Sequence, residues 1–484
     1  MDNIPQRNGR DSGGGEVDMV PHPSAKTPPS KPTSPRPLSP QFNHQRTQAR
    51  KTLDPSHAAE FTPAGSTYLP FLLPMNNAPT TRLCTMMFLQ FFVWGSWFTS
   101  IAVYMTAHGM ANLTHWPYTV NPLAAIIAPF ALGLVADRFF STEKVLATLH
   151  LIGGGVMIFV PQLTGNPTVF ILALLLYNLC YMPTLGLSNA LAFHHITDQE
   201  KQFPRIRVFG TLGWIVAGLF VSFVLGRAMG TTAEATAAPL YSTAIASIIL
   251  GIFCFSLPST PPSGRGKKIS ITAILGIDAL RALASRSFFV FLACSFLICI
   301  PLAAYYNFTQ LYLGATGFTS IAGTQTLGQM SEVGFMLLMP LLFARLGVKW
   351  MLVIGMAAWA VRYALFALGA PDQVTWMILG GIALHGICYD FFFVTGQIYV
   401  DQRANDEIRG QAQGMLVLVT NGAGMLIGAQ AAGMVFNHYL DGADALTLAQ
   451  WQSFWWLPAA FAVVVMIVFA TLFRQDKPPA KAEA

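Results

Sequence analysis

Residues 242–306 read STAIASIILGIFCFSL (242–257), PSTPPSGRGKKISITAILGIDALRALASR (258–286) and SFFVFLACSFLICIPLAAYY (287–306). Each outer piece approaches the ~20 apolar residues that a helix needs to cross about 30 Å of hydrocarbon. The middle piece carries prolines, glycines and the basic residues Arg265, Lys267, Lys268, Arg281 and Arg286, so it reads as a polar linker between two membrane helices. Working outward, five more apolar runs precede this pair, centred on Trp94, Ile126, Gly154, Leu176 and Ile215. Five follow it, centred on Val333, Met356, His385, Met425 and Val463. The expected fold is an all-α integral membrane protein with twelve transmembrane helices in two six-helix halves. The halves span 83–257 and 287–475, the linker 258–286, and a short cytosolic tail 476–484.

Composition agrees with that pattern. The chain has 484 residues, 53% of them hydrophobic and only 10% charged, against about 25% charged in an ordinary globular protein. Of the 50 charged residues, 15 fall within positions 1–82 together with 14 of the 31 prolines. That segment lacks a sustained apolar period and is expected to be a disordered cytosolic tail. Alternatively it is in part a mis-called start, because Met75 opens MNNAPTTRLCTMMFLQFF with one arginine directly before the first apolar run. The net charge of +6 does not indicate a nucleic-acid partner, since the basic residues form no dense patch with interleaved aromatics. All six cysteines lie in apolar runs with no CxxC pair, which argues against a zinc site or a disulfide framework. The chain has no GxxxxGK[ST] phosphate loop, so ATP hydrolysis is not its energy source.

Orientation follows from the placement of Lys and Arg, which concentrate in cytoplasmic loops. With the N-terminus inside, the inner loops hold Arg138, Lys144, Lys201, Arg205, the linker cations, Arg345, Lys349, Arg403 and Arg409, while the outer loops hold only Arg227. Both termini are therefore expected in the cytosol. Two six-helix halves joined by a cytosolic linker suggest a transporter with its site between the halves near the bilayer midplane. The 2–3 loop, GLVADR (133–138), resembles the GxLaDr signature of the major facilitator superfamily, with Gly133, Asp137 and Arg138 in a gating role. A solvated charge pair at a helix terminus is the alternative.

Ionisable groups inside membrane segments are expensive and mark functional candidates. Arg207, Thr211 and Trp214 are spaced i, i+4, i+7 and share one helical face. Arg207 either lines a polar cavity or snorkels to the cytosol from a helix opened by Pro204. Gln329 and Glu332 are i, i+3 neighbours with no cation nearby on their helix. Desolvation disfavours the charged form of such a carboxylate, so Glu332 is a candidate to carry a proton or to accept hydrogen bonds from a polyol, unless it pairs statically with Arg362 across the bundle. Asp390 follows Tyr389 in HGICYDFFFVTG and is a proton-coupling candidate by the same argument, with His385 one turn earlier. Thr420-Asn421 interrupts a glycine-rich and alanine-rich helix whose small residues suit close packing. His194 and His195, near Asp198 and Glu200, read as solvated loop residues.

Taken in order along the chain, FLQFFVWGSWFTSIAVYM, GLVADRFFS, YMPTLGLSNAL, FPRIRVFGTLGWIVAG, GQMSEVGFMLLMP, AAWAVRYALFALG, YDFFFVTGQIYV and AQGMLVLVTNGAGMLIGA resemble the bacterial nucleoside:proton symporter family of the major facilitator superfamily. Only the tail before about residue 82 falls outside the resemblance. It implies that the IRxxGTxGF segment presents Arg207, Thr211 and Trp214 to substrate. It likewise implies that QxSE presents Gln329 and Glu332, and that Tyr389 and Asp390 form the aromatic-aspartate pair with the aspartate coupling protons. Three departures stand out: His385 replaces a tyrosine, Trp214 a phenylalanine, and the helix 7 glutamine and asparagine align with Ala303 and Tyr306. Asn307 or Gln310 are possible substitutes for the latter pair.

The expected function is proton-coupled nucleoside import, with uridine and cytidine as representative substrates, across the bacterial inner membrane by a chain that is not an enzyme. It needs no cofactor or metal beyond the proton gradient. Its partners are nucleoside, protons and the lipid bilayer, with no nucleic acid, and the chain is expected to be monomeric. The rivals are a proton-linked sugar or small polar solute porter and a non-transporting nucleoside sensor.

Overall fold

The computed structural model describes residues 78–131, 140–262, 272, 275–405 and 408–474, without the side chains of 78–79, 129–131 and 199–201. The tail before residue 78, the loop with Gly133, Asp137 and Arg138 that is expected to act in gating, the center of the linker and the C-terminal tail lie outside the described residues.

Nine described helices are long and apolar enough to cross a membrane. One of them, Ile321–Gly369, contains Gly347 at φ 65° and ψ 176°, a conformation that costs little only without a Cβ. It therefore divides into two spans. With the shorter helices Trp116–Ala131 and Ala238–Cys254, twelve spans result. In chain order α1 runs Ala78–Phe98 and resumes at Ile101–Ala107; α2 is Trp116–Ala131, α3 Thr142–Phe159, α4 Pro167–His195, α5 Gln199–Leu219 continued to Met229, and α6 Ala238–Cys254. The second set comprises α7 Arg286–Ala315, α8 321–346, α9 348–369, α10 Thr375–Ala383 continued to Arg403, α11 Arg409–Leu440 and α12 Leu448–Leu472. Side chains cap several of these helices. The Asn166 side-chain oxygen Oδ1 accepts from Val169 N ahead of Pro167, Ser285 caps α7, and Thr447 with Gln450 forms a capping box on α12. Each cap satisfies backbone donors that a helix start leaves orphaned.

Two boundaries differ from expectation. α5 begins at Gln199 rather than at Pro204, so Pro204 sits in the second turn, where its missing N–H leaves the Glu200 carbonyl without its helical donor. His194 and His195 form the last turn of α4 rather than a loop, and His195 Nε2 lies 2.8 Å from Thr260 Oγ1. The helical ladder simply continues through them.

Each half has its own apolar core. One centres on Leu83, Trp97, Leu146, Tyr177 and Leu250, the other on Phe308, Tyr312, Trp359, Phe366 and Trp455. The outer faces are apolar as well, with Leu337, Ile252, Ile245 and Met434 more than half exposed, as a hydrocarbon surround demands. The halves meet along α2–α11 and α5–α8. Hydrogen bonds between them gather at the end where α1 meets α2, hereafter the closed end. There Gln430 Nε2 donates to Thr119 Oγ1 at 2.7 Å, and Asn437 Nδ2 to the Asn112 carbonyl at 2.9 Å. The fully buried Glu234 accepts at Oε1 from Ser222 Oγ (2.5 Å) and from Ala322 N at the start of α8 (2.9 Å). An acceptor at a helix N-terminus satisfies orphan donors and complements the dipole.

Candidate functional site

The α5 segment builds one wall. A Cβ on Gly213 would collide with the Phe88 carbonyl, so glycine is what lets α5 lie backbone to backbone on α1. That approach sets Trp214 5.3 Å from Trp94 and 6.0 Å from Phe98, ring centroid to centroid. Arg207 shares the face and folds its guanidinium 4.2 Å over the Phe91 ring, a cation–π contact. Thr211 lies half-buried between them.

The opposite wall comes from α7, α8 and α10. Ser331 Oγ donates to the Ala383 carbonyl at 2.5 Å and accepts from Gly386 N at 3.0 Å, while a Cβ on Gly386 would stand 2.6 Å from the Ser331 carbonyl carbon. α8 and α10 are thus pinned at the level of Glu332 and His385. Tyr306 of α7 completes the wall, 5.9 Å from Phe98 and 6.2 Å from His385, and His385 lies 6.0 Å from Tyr389. Trp94, Phe98 and Trp214 of one half therefore face Tyr306, His385 and Tyr389 of the other. Such rings can hold a flat substrate between them.

Charge is arranged around this aromatic girdle. Arg207 acts electrostatically on Glu332 and Tyr389 across the α5–α8 seam, and Glu332 acts on Asp390 and Tyr306. Glu332 and Gln329 are half-buried, and Gln329 Oε1 has no hydrogen-bond partner. Asp390 is fully buried, opens a wide-turned π segment, Asp390–Val394, and has neither oxygen partnered. π turns recur at functional sites, and a second one spans Leu418–Gly424. It places Asn421 in a cleft with Tyr389, Gln397 and Thr420.

Other candidates lie behind the girdle or away from it. Glu332 and Arg362 form no ion pair; Arg362 is fully buried, none of its nitrogens has a hydrogen-bond partner, and its guanidinium sits 4.1 Å over the Tyr305 ring. Asn307 is buried with Nδ2 3.4 Å from the Ala429 carbonyl of α11, and Ala303 packs where α7 crosses Gly428. Gln310 is buried at the closed end with its amide engaged. Of the four α7 positions considered, Tyr306 is the one beside the girdle. Trp94 and Phe98 were not anticipated; FFVWGSWF (91–98) is dense enough in aromatics to have flagged them. Nor was the buried chain in the first half that runs from Ser247 through His150 to Gln90 and Thr184. In it His150 Nε2 lies 2.9 Å from Gln90 Oε1 and Gln90 Nε2 donates to Thr184 Oγ1 at 2.6 Å. Among the described residues no cluster of three or more His, Cys, Asp or Glu is placed to hold a metal.

Two six-helix bodies closed at one end, with unpaired carboxylates beside an aromatic girdle between them, make up the architecture of a proton-linked secondary carrier of the major facilitator type. Residues 77–478 match the family model described as Nucleoside H+ symporter, and the chain belongs to that family. YegT of Escherichia coli (strain K12), assigned to nucleoside transport on a provisional basis, is 41% identical over 406 residues, covering 82% of this chain and 94% of YegT. The xanthosine permease of the same organism is 29% identical over 423 residues, covering 83% and 97%. The crystal structure of the nucleoside transporter NupG superposes with a TM-score of 0.71 at 29% identity, covering 83% of this chain and all of that one. These relatives are carriers, not enzymes, and the chain is a multi-pass membrane transporter.

Proposed function

We propose that the protein imports nucleosides with protons by alternating access, the bodies 83–257 and 287–475 rocking about the girdle. The base lies among Trp214, Tyr306 and Tyr389, with His385 at its edge, and the ribose hydroxyls meet Gln329 and Glu332. Arg207 and Thr211 complete the polar wall. Asp390 carries the proton, with Glu332 sharing the load, and loop residues Gly133, Asp137 and Arg138 act in gating. The basic loops support a reading with both termini in the cytosol of a bacterial inner membrane, in which the closed end is the outer one and the cleft faces inward.

The observation that supports this reading most directly is Asp390, buried with both oxygens unpartnered and within reach of the Glu332 charge. An ionised carboxylate in that position is costly unless a proton or counter-charge arrives with the substrate. The sugar-porter alternative shares the fold. Uptake of radiolabelled uridine, adenosine and xylose into proteoliposomes, with and without an imposed pH gradient, tests the proposal. Nucleoside accumulation that depends on the gradient is expected; accumulation of xylose alone would refute it.

A further inference from the structure

α1 gives up its helical rungs around Thr99 and Ser100, and the one between Ala102 and Phe98 is replaced by bonds to α2 and to the other half of the molecule. In an unbroken helix Ala102 N–H would donate to the Phe98 carbonyl. Here Ala102 N donates instead to Gln310 Oε1 of α7 at 3.1 Å, and the Phe98 carbonyl accepts from the Tyr118 hydroxyl of α2 at 2.8 Å. Gln310 Nε2 closes the circuit by donating to the Tyr118 hydroxyl. The directions are forced: a carbonyl only accepts, so the Tyr118 proton is committed to Phe98, and its oxygen takes the amide N–H. The next carbonyl, of Thr99, accepts from Gln325 Nε2 of α8 at 3.3 Å. Gln310, Tyr118 and Ala102 are all buried, leaving no room for water to replace the bridge.

We propose that the Gln310–Tyr118 bridge is a latch that couples the aromatic girdle to closure of this end, holding α1 broken while the end is shut and releasing it to a continuous helix when α7 withdraws. Buried backbone groups must be paired. When α7 leaves, Ala102 N–H and the Phe98 carbonyl are each other's natural helical partners and can re-pair, so opening strands neither. α1 is thereby a two-state element of the kind through which a ligand shifts a conformational equilibrium. The bridge also touches the site at both ends. Phe98 stands 5.9 Å from Tyr306 and 6.0 Å from Trp214, and Gln310 lies one turn beyond Tyr306, whose carbonyl takes its second N–H at 3.4 Å. Gln310 is therefore a positioning residue that acts through α1 without touching substrate. The proposal rests on the transport reading.

The test uses the full chain in liposomes. The six native cysteines are buried, and Thr326→Cys, buried where α8 packs against Gly218 of α5, reports opening of the closed end to a membrane-impermeant maleimide. Added to that reporter, Gln310→Ala and Tyr118→Phe are each expected to raise the ligand-free labelling rate by roughly tenfold, the weight of one net hydrogen bond. Uridine should change labelling of the reporter chain, and that response should vanish in Gln310→Ala while calorimetry still records uridine binding. A purely structural role would lower thermal stability without removing the ligand response. Should Gln310→Ala fail to fold, Tyr118→Phe, which deletes a single hydroxyl, decides alone. Parental labelling rates and a parental uridine response in the variants overturn the proposal. Absence of uridine binding to the parent would count against the nucleoside reading, while the ligand-free rates still decide the latch.

Discussion

Replacing Asp390 by asparagine should abolish uphill transport while sparing binding. The carboxyl is fully buried and neither oxygen has a partner, so ionising it in this conformation would leave a bare charge in a low dielectric. That costs several kcal/mol even after relaxation, on the order of the effective penalty for burying an ion. The neutral acid bears only the penalty of unsatisfied polar atoms, about 1–3 kcal/mol each. A difference of a few kcal/mol is large beside the ~1.4 kcal/mol that corresponds to a tenfold change in population. At pH 7 a carboxyl with the ordinary pKa of about 3.9 favours ionisation by ~4 kcal/mol, so a burial penalty of this size largely offsets that preference and makes occupancy of this conformation depend on proton binding. Asparagine keeps the shape and is always neutral, so it permits reorientation without a proton. With one proton per substrate, a gradient of one pH unit, acid outside, supports accumulation to a limit of about tenfold. In proteoliposomes the native chain should approach that limit. Asp390→Asn should stop at a ratio of about one, with exchange of labelled for unlabelled uridine retained and Kd changed less than about threefold. An asparagine variant that still concentrates uridine near the native ratio would refute the reasoning.

Three further outcomes can be checked. Arg362→Met removes a buried cation whose cost at mid-helix is about 2.5–3.5 kcal/mol on insertion scales, against a cation–π return of up to about 2 kcal/mol from Tyr305; thermal unfolding in detergent should show a stabilised variant, and a lowered midpoint would contradict the sign. Gly386→Val forces a side chain into the Ser331 backbone and should cut uridine uptake roughly fivefold or more through about 1–3 kcal/mol of overpacking, whereas Gly410→Ala, which meets nothing within 4 Å, should leave it unchanged in the same assay. Trp214→Ala should raise the KM for uridine roughly threefold to tenfold, consistent with ~0.5–1.5 kcal/mol for an aromatic pair, with Trp214→Phe close to native.

The membrane architecture was legible because hydrocarbon imposes a single length requirement on every span; twelve runs, their linker and their centres could be read without tertiary information. Arg207, Thr211 and Trp214 were legible for a different reason, since helical spacing alone puts them on one face. Glu332 and Asp390 stood out because an unpaired charge in an apolar run has no inexpensive structural explanation. Arg362 stood out in the same way, yet its resting place over Tyr305 depends on which helix packs against α9, and no periodicity encodes that. The wide turns at Asp390 and Leu418 also leave no trace in residue spacing, because a π turn uses the same residues as the α turn it replaces.

Gln310 shows most clearly why local reading falls short at the seam between halves. As a polar residue near the end of an apolar run it is equally compatible with reading a nucleoside base, capping a helix or facing water. Its amide atoms are instead distributed between Ala102, Tyr118 and the Tyr306 carbonyl, and two of those partners belong to the other half. Thr99 and Ser100 are similarly unremarkable within FVWGSWFTSIAVYM; nothing in them requires a break. Groups from α2, α7 and α8 supply bonds in place of those that α1 gives up, and the bonds from α7 and α8 cross between the halves. Residues that line a carrier's site can be read from what they cost inside a membrane. Residues that move it are satisfied in more than one conformation, so they bear no local penalty by which a sequence could betray them.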